Sequence, residues 1–526
     1  MNKSFFKHLI RFSVFFMFFG FFWKLRVRQV LPGNELIVNM GYPPSTFHPH
    51  KVNNCHEKIL SRHLYEGLVR SGENGRLLPG LAKKIDVSED GLNYRIELRE
   101  SFWSDGRPLT ADDFVRSWKN VIASERLSAD SLHFDLIRGV KEFRNNMNDW
   151  DKVSLKADSK NIFSFSLEHR APYFIEVLTL PIFYPVSSFD SDKCLVSNGP
   201  FRFKEFKWSQ LIVLEKNPFF WDESSVSFSS IRFLLVEEAQ TQTSLFESGD
   251  IHFMGGGFLA ISKEAIDSLK RRGLLSGQYA VACEHYAILN TRRTIFQSKK
   301  VRQAFSMSLD RDRMQKGFFK RCIAAYSYLP PALRQEKNIP ILIEENRDKA
   351  KLLFEEGMHE LNFGESEEVE FLCTSLCLKL AQALQAQWFQ NLGILVKVQC
   401  VSVPTMISRL SDGDFDFACY SQIASYRDPY SFFEEFSDSD SAFNATGWSP
   451  ESFRDLLAKS FDFEDESRTV FFEKLEKIIL EEVPVVPIAF GREVFSWHPS
   501  LEGFVVDELM MIDFSRARWR KESSSC

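Results

Sequence analysis

No apolar run of membrane-spanning length follows residue 34 in this chain of 526 residues. A bilayer-crossing helix needs about 20 apolar residues, so a membrane-embedded body is excluded. Concentrated positive charge is also missing: 65 Lys and Arg stand against 71 Asp and Glu, a net charge of −6. Phosphate backbones are held by clustered cations, and no nucleic-acid partner is expected. Internal repeats, heptads and low-complexity tracts are absent, which removes solenoids and coiled coils. The nine cysteines, at 55, 194, 283, 322, 373, 377, 400, 419 and 526, are too scattered in so long a chain to form a dense disulfide scaffold. Their odd number leaves at least one thiol free or paired between chains.

Catalytic and metal-binding signatures are missing as well. His56-Glu57-Lys58-Ile59-Leu60 begins like a zinc-protease helix, but Leu60 stands where the second ligand is required. Cys373 and Cys377 have no second Cys or His pair nearby in sequence to complete four ligands. No Gly-x-Ser-x-Gly elbow presents a serine. Gly255-Gly256-Gly257 lacks the Lys-Ser or Lys-Thr of a phosphate cradle and reads as a turn. No catalytic residue, metal or cofactor is therefore expected, and the chain is not read as an enzyme; a peptidase would need groups from distant segments to converge.

What is present is ordinary globular composition, 44% apolar and 26% charged, in a length that suits about three domains. Phe is abundant, at 52 residues, and is read as core filling used where Leu would serve. Lys3, Lys7 and Arg11 precede an apolar run from Phe12 to Trp23, which suits the apolar region of an export signal. Lys24, Arg26 and Arg28 follow without an evident small-residue cleavage site, and no Cys closes the run for lipid attachment. Export is expected, with residues 1–33 either cut or kept as an inner-membrane anchor.

Residues 92–99 alternate strictly and predict a strand with one wet face. Ser104-Asp105-Gly106 reads as a turn. Thr110 and Asp113 form a capping pair before the helical stripe Phe114, Trp118, Val121 and Ile122. Asn198-Gly199-Pro200 is a turn into a strand carrying Phe201 and Phe203, and Lys216-Asn217-Pro218 is another interruption. Helices are predicted from Val301 to about Leu309, from Ala350 to Glu356 and from Leu380 to Asn391, the last two ended by Gly357 and Gly393. Residues 394–401 read as a strand, and residues 483–488 as an extended segment. Strands and helices interspersed throughout define an α/β or α+β class with several lobes.

The block Leu81-Ala82-Lys83-Lys84, Tyr94 to Arg99, and Phe102-Trp103-Ser104-Asp105-Gly106 to Phe114 resembles the signature of the oligopeptide-binding proteins of bacterial ABC peptide importers, solute-binding protein family 5. Further matches follow in order: residues 47–50, 64–68, 198–201, 215–221, 248–251, 301–311 and 428–432. The resemblance spans about residues 35 to 515. It implies a three-lobed fold like the type II periplasmic binding proteins, with the ligand cleft between two lobes. Lobe I would comprise 34–56, 181–282 and 492–526, lobe II 57–180 and lobe III 283–491, with crossings near 282 and 491 as the hinge. A periplasmic monomer serving membrane permease subunits is implied, gripping an oligopeptide by its main chain between lobes I and III.

On that resemblance Tyr42, Pro43, Pro44 and Ser45 form one wall of the cleft. Ser421, Gln422, Ile423 and Ser425 form the other, with Asp428 and Phe490 among the peptide-binding positions. Ser425 stands where the family pattern has an Asp for the peptide α-ammonium, and Gln422 where it has a Trp. Pro43 and Pro44 withdraw two N–H donors. Cys283 matches one partner of the familiar disulfide, but Ile423 holds the other place, with Cys419 four residues away. These departures imply altered ligand choice, toward blocked, modified or murein-derived peptides.

Overall fold

The alternating run around Tyr94 folds as the strand Asn93–Leu98, which buries Tyr94, Ile96 and Leu98 and turns Asn93 and Arg95 outward. The computed structural model describes residues 33–520 apart from 73–74, 125–127, 147–149, 189–194, 318–321, 335–341, 363–367, 442 and 464. Residues 1–32 of the expected leader, Cys194 and Cys526 lie outside the described residues.

Asn93–Leu98 sits inside a four-stranded antiparallel sheet, between Ala82–Val87 and Ile162–Ser166, with Leu155–Ser159 beyond the latter. The helix Ala111–Ile122 lays its apolar stripe on this sheet. Trp118 meets the rings of Phe134, Phe163, Phe165 and Phe183 and donates its indole N–H to the Phe183 carbonyl at 2.9 Å. Phenylalanine thus fills this core, as its abundance suggested. The Asp113 carboxylate accepts the Thr110 backbone N–H at 2.9 Å, so the expected capping pair starts this helix. Asp113→Ala should lower the unfolding free energy by about 1 kcal/mol, seen as an earlier chemical-denaturation midpoint; an unchanged midpoint would argue that the cap contributes nothing.

The principal sheet has eleven strands. One half holds Glu35–Asn39, parallel to Ser230–Leu234, with Leu211–Lys216 and Phe201–Lys207 outside them and Phe253–Gly255 on the inner flank. The other half holds the parallel trio Val396–Cys400, Val369–Cys373 and Phe417–Ile423. Two 13-residue strands, Gly277–Leu289 and Val485–Trp497, run antiparallel through the middle and belong to both halves.

Their register slips where the halves meet. Ala280 faces Arg492 and Glu284 faces Phe490, so three residues of one strand oppose Gly491 alone. A Cβ on Gly491 would come within 2.8 Å of Val281 Cγ2 and 2.9 Å of Cys283 Cβ. The bulge therefore needs a residue without a side chain.

Between Val369–Cys373 and Val396–Cys400 runs the helix Leu378–Leu392, stopped by Gly393 at φ 76° as expected. The expected stop at Gly357 is corrected. The helix Arg347–Leu361 runs through that residue and ends at Asn362, whose φ is 50°. Gly357 is buried, and a Cβ there would lie 2.7 Å from Val301 Cγ2. Its lack of a side chain serves close helix packing rather than termination.

Candidate functional site

A cavity of about 1060 Å³ opens beside the strand Phe417–Ile423 and contains four of the expected site residues, Ser421, Gln422, Ile423 and Ser425. Seven residues of this strand pair with Gly277–Leu289, placing Ser421 opposite His285, Gln422 opposite Glu284 and Ile423 opposite Cys283. On the other flank the described ladder to Val369–Cys373 covers only Phe417 and Ala418. From Cys419 onward the strand has a ladder partner on one side only among the described strands. Alternate peptide groups of such an edge point outward, ready to pair with another extended chain.

The facing side of this cavity is lined by residues within 129–141, with His169 and Tyr173; Tyr42–Ser45 are not part of its lining. Tyr173 stacks on Tyr430 at 4.5 Å and on Tyr426 at 5.5 Å, giving the floor an aromatic lining. Asp130 begins the 3-10 segment Asp130–Leu136 on that side. It forms an ion pair with Lys58 at 2.8 Å and accepts a hydrogen bond from Ser425. Burial alone would raise the Asp130 carboxyl, but the Lys58 ammonium and these hydrogen bonds outweigh it and hold the group below the usual range. A carboxylate therefore stands beside Ser425, supplied by another segment.

Tyr42–Ser45 lie one relay away. The backbone N–H and hydroxyl of Ser45 both donate to Glu57 Oε1 at 2.7 Å. Glu57 and Lys58 are consecutive residues of the helix Cys55–Leu64, so one helix touches Ser45 with one side chain and Asp130 with the next. Tyr42 is exposed and Pro44 buried.

Two expected residues stand behind the wall. Asp428 is buried, paired with Arg468, and accepts the Tyr430 N–H at 2.8 Å. Each of its carboxylate oxygens is engaged within the fold, one by the Tyr430 N–H and one by Arg468. Phe490 is fully buried, with Glu284 on one flanking strand and Ile323 on the other, so its side chain belongs to the core. Cys283 is an unbridged thiol facing Ile423.

Glu434 and Glu435 also line the cavity, and sequence gave no sign of them. Glu434 accepts the Tyr426 hydroxyl at 2.9 Å and Glu435 the Tyr328 hydroxyl at 3.1 Å. Burial raises Glu434 to about 8 and Glu435 to about 7, and the tyrosine hydrogen bonds only partly offset it. A carboxyl raised in the folded state above its unfolded value stabilises fully below the unfolded value, and that contribution is lost as pH rises through the folded one. Glu434→Gln should therefore flatten the decline of Tm between about pH 5 and 8. Scanning calorimetry at several pH values checks this; parallel curves for the two proteins would contradict it.

Comparison with known proteins places this geometry. Residues 76–444 match the model of the bacterial extracellular solute-binding proteins, family 5 Middle. The oligopeptide-binding protein OppA of Bacillus subtilis is 27% identical over 92% of each chain. The periplasmic oligopeptide-binding protein OppA of Escherichia coli is 27% identical over 88% of each. Among solved structures, the Haemophilus influenzae OppA complex with RPPGFSPFR superposes with a TM-score of 0.79 at 22% identity, covering 93% of this chain and 99% of that one. The Escherichia coli murein tripeptide binding protein MppA gives 0.80 at 22% identity, with the same coverage. These structural likenesses establish the fold, mixed α/β and like the type II periplasmic binding proteins. With its family model matched across well over half its length, the chain belongs to the bacterial extracellular solute-binding proteins of family 5.

Proposed function

We propose that this protein captures extended oligopeptides by their main chain and hands them to the permease subunits of an ABC importer. The observation that carries this reading is the strand edge from Tyr420 to Ile423, which lines the cavity with a ladder partner on one flank only among the described strands. Amide groups are common to all peptides, so such an edge binds with little regard to side chains. The cavity volume leaves room for varied side chains and bridging water. Oligopeptide binding by the relatives supports the same reading.

In this proposal Ser421, Gln422, Ile423 and Ser425 form the main wall, with Asp428 and Phe490 supporting it from behind. Tyr42, Pro43, Pro44 and Ser45 flank the same cleft across the Glu57–Lys58 relay. The lobes are 34–56, 181–282 and 492–526; 57–180; and 283–491. The bulge at Gly491 lies at their proposed hinge, where two strands alone carry the sheet from one half to the other. The protein works outside the cytoplasmic membrane as a monomer; among the described residues no helix is long and apolar enough to cross a membrane.

A second reading is favoured by one contact. Lys58 already occupies Asp130, and position 425 brings no further charge. That arrangement suits a ligand whose amino end is blocked, modified or murein-derived. Incubation with a random peptide mixture, followed by mass spectrometry of the bound fraction, tests both readings. Intact peptides with free amino ends support the first, and enrichment of blocked ones supports the second. Fragments would indicate hydrolysis, and an empty bound fraction would overturn peptide capture.

A further inference from the structure

Four cysteines spread over 47 positions of sequence meet across three parallel strands, two of them at strand carboxyl ends and Cys419 third in the strand Phe417–Ile423. Cys373 ends Val369–Cys373 and is the register partner of Cys400, the last residue of Val396–Cys400. On the other flank Phe371 faces Phe417 and Leu372 faces Ala418, so the next step along each strand sets Cys419 beside Cys373. The result is a row of three thiols across the sheet. Cys377 stands over it as the N-cap residue of the 15-residue helix Leu378–Leu392. Its side chain is hydrogen-bonded to Cys419, Thr374 and Ser421. Cys373 and Cys419 are buried, Cys377 is half-buried and Cys400 is exposed, and none of them is bridged.

A row is not a cage. Among the described residues no three His, Cys, Asp or Glu side chains are placed to hold a metal ion, so a tetrahedral thiolate site is not what these residues build. What they do build is a neighbouring pair of unlike thiols, one reachable from solvent and one enclosed. The hydrogen bond with Cys419 draws Cys377 down to about 7 against the opposing effect of burial, and the Thr374 and Ser421 hydroxyls add to it. The same bond, together with burial, pushes Cys419 well above the usual thiol range. The helix N-terminus also favours a thiolate at its cap.

We propose that Cys377 and Cys419 are a thiol–disulfide exchange site on the border of the ligand cavity, with Cys377 the attacking and Cys419 the resolving sulfur. The oxidant is a small-molecule or protein disulfide, R–S–S–R. The Cys377 thiolate attacks one of its sulfurs; a Cys377–S–R bond forms, the S–S bond breaks, and RS⁻ leaves and takes a proton. Cys419 then loses its proton and attacks Cys377 Sγ, closing the Cys377–Cys419 bond and releasing the second RS⁻. Two protein thiols are oxidised and one disulfide is reduced, and the two protons end on the two released thiols.

The site reaches the cavity through one residue. The Ser421 hydroxyl is shared between Cys377 and His285, whose Nδ1 lies 2.7 Å away. A disulfide has no thiolate to accept from Ser421, so oxidation releases that hydroxyl toward the cavity wall. The exchange chemistry goes beyond peptide capture and stands whether or not the ligand is a peptide.

The test uses the full chain, reduced and desalted, then treated with 5,5′-dithiobis(2-nitrobenzoate) and digested under acidic non-reducing conditions. The expected product joins the Cys377 and Cys419 peptides, with no thionitrobenzoate left on Cys377. Cys419→Ala should trap a stable adduct at Cys377, and Cys377→Ser should leave Cys419 unlabelled. Alkylation of Cys377 by iodoacetamide should be half-maximal near pH 7. A stable adduct on Cys377 in the unsubstituted chain, or a bridge from Cys377 to Cys373 or Cys400, would overturn the proposal. So would a Cys377 recovered as a free thiol while Cys400 reacts. The digest of the unsubstituted chain decides the matter even if a variant fails to fold.

Discussion

Ser425→Asp should tighten the binding of peptides with a free amino terminus by roughly 10- to 100-fold, while leaving their N-acetylated counterparts unimproved. The reasoning starts from charge. A hydrogen bond to an ionised partner contributes about 1.5–3 kcal/mol, and each 1.4 kcal/mol is about tenfold in affinity. Ser425 lines the cavity and hydrogen-bonds the half-buried Asp130, which is ion-paired with Lys58 at 2.8 Å. A second carboxylate there leaves one negative charge uncompensated in the unliganded protein, which costs stability. An incoming α-ammonium would restore balance, so the ligand recovers what the empty site loses. The variant should accordingly have a lower Tm alone and a larger Tm rise on adding peptide. Calorimetry with a peptide and its acetylated twin separates the outcomes. Equal changes for both would mean that the amino end does not reach this position.

Asp428→Ala should cost about 3–5 kcal/mol of stability, because it strands the buried Arg468 without its counter-charge. Arg468 is held against Phe472 at 4.8 Å and Tyr173 at 5.5 Å, so it cannot simply swing into solvent. The double variant Asp428→Ala, Arg468→Leu should recover a large part of the loss, since an apolar pair of similar volume carries no desolvation penalty. Urea titration of the three proteins checks this. If the single and double variants are equally unstable, the damage comes from the lost Tyr430 backbone contact rather than from the stranded charge. The prediction also bears on binding, because Tyr430 stacks on Tyr173 in the cavity lining. Loosening Asp428 should weaken ligand affinity indirectly.

Local structure was legible wherever a short pattern carries its own physics. Alternation at 93–98 made a strand, and Thr110 with Asp113 made a capped start, each decided by neighbours in sequence. Glycine shows where this fails. Gly393 and Gly357 follow similar helical runs, yet one ends a helix and the other lets two helices touch. Only packing against Val301 distinguishes them, and that contact is 56 residues distant in sequence.

The candidate site was half legible. The resemblance brought Ser421 to Ser425 to a cavity wall, since strand position carries over with the signature. The side of the cavity facing them was not visible. Leu132, His133 and Tyr173 come from a 3-10 segment and a turn with no distinctive spacing. Asp428 and Phe490 were visible as positions, but their burial depends on Arg468 and on two flanking strands that no local pattern reveals. The thiol row was hidden for the same reason, since Cys373, Cys400 and Cys419 meet only once three strands take their register.

Amide hydrogen exchange of the protein, with and without a saturating peptide recovered from the random mixture, reaches the core of the account. Main-chain capture predicts new protection in 419–425 and at the Tyr42 amide, with slower exchange at 129–133 as the cavity closes. Protection confined to any other surface, with 419–425 unchanged, would contradict it.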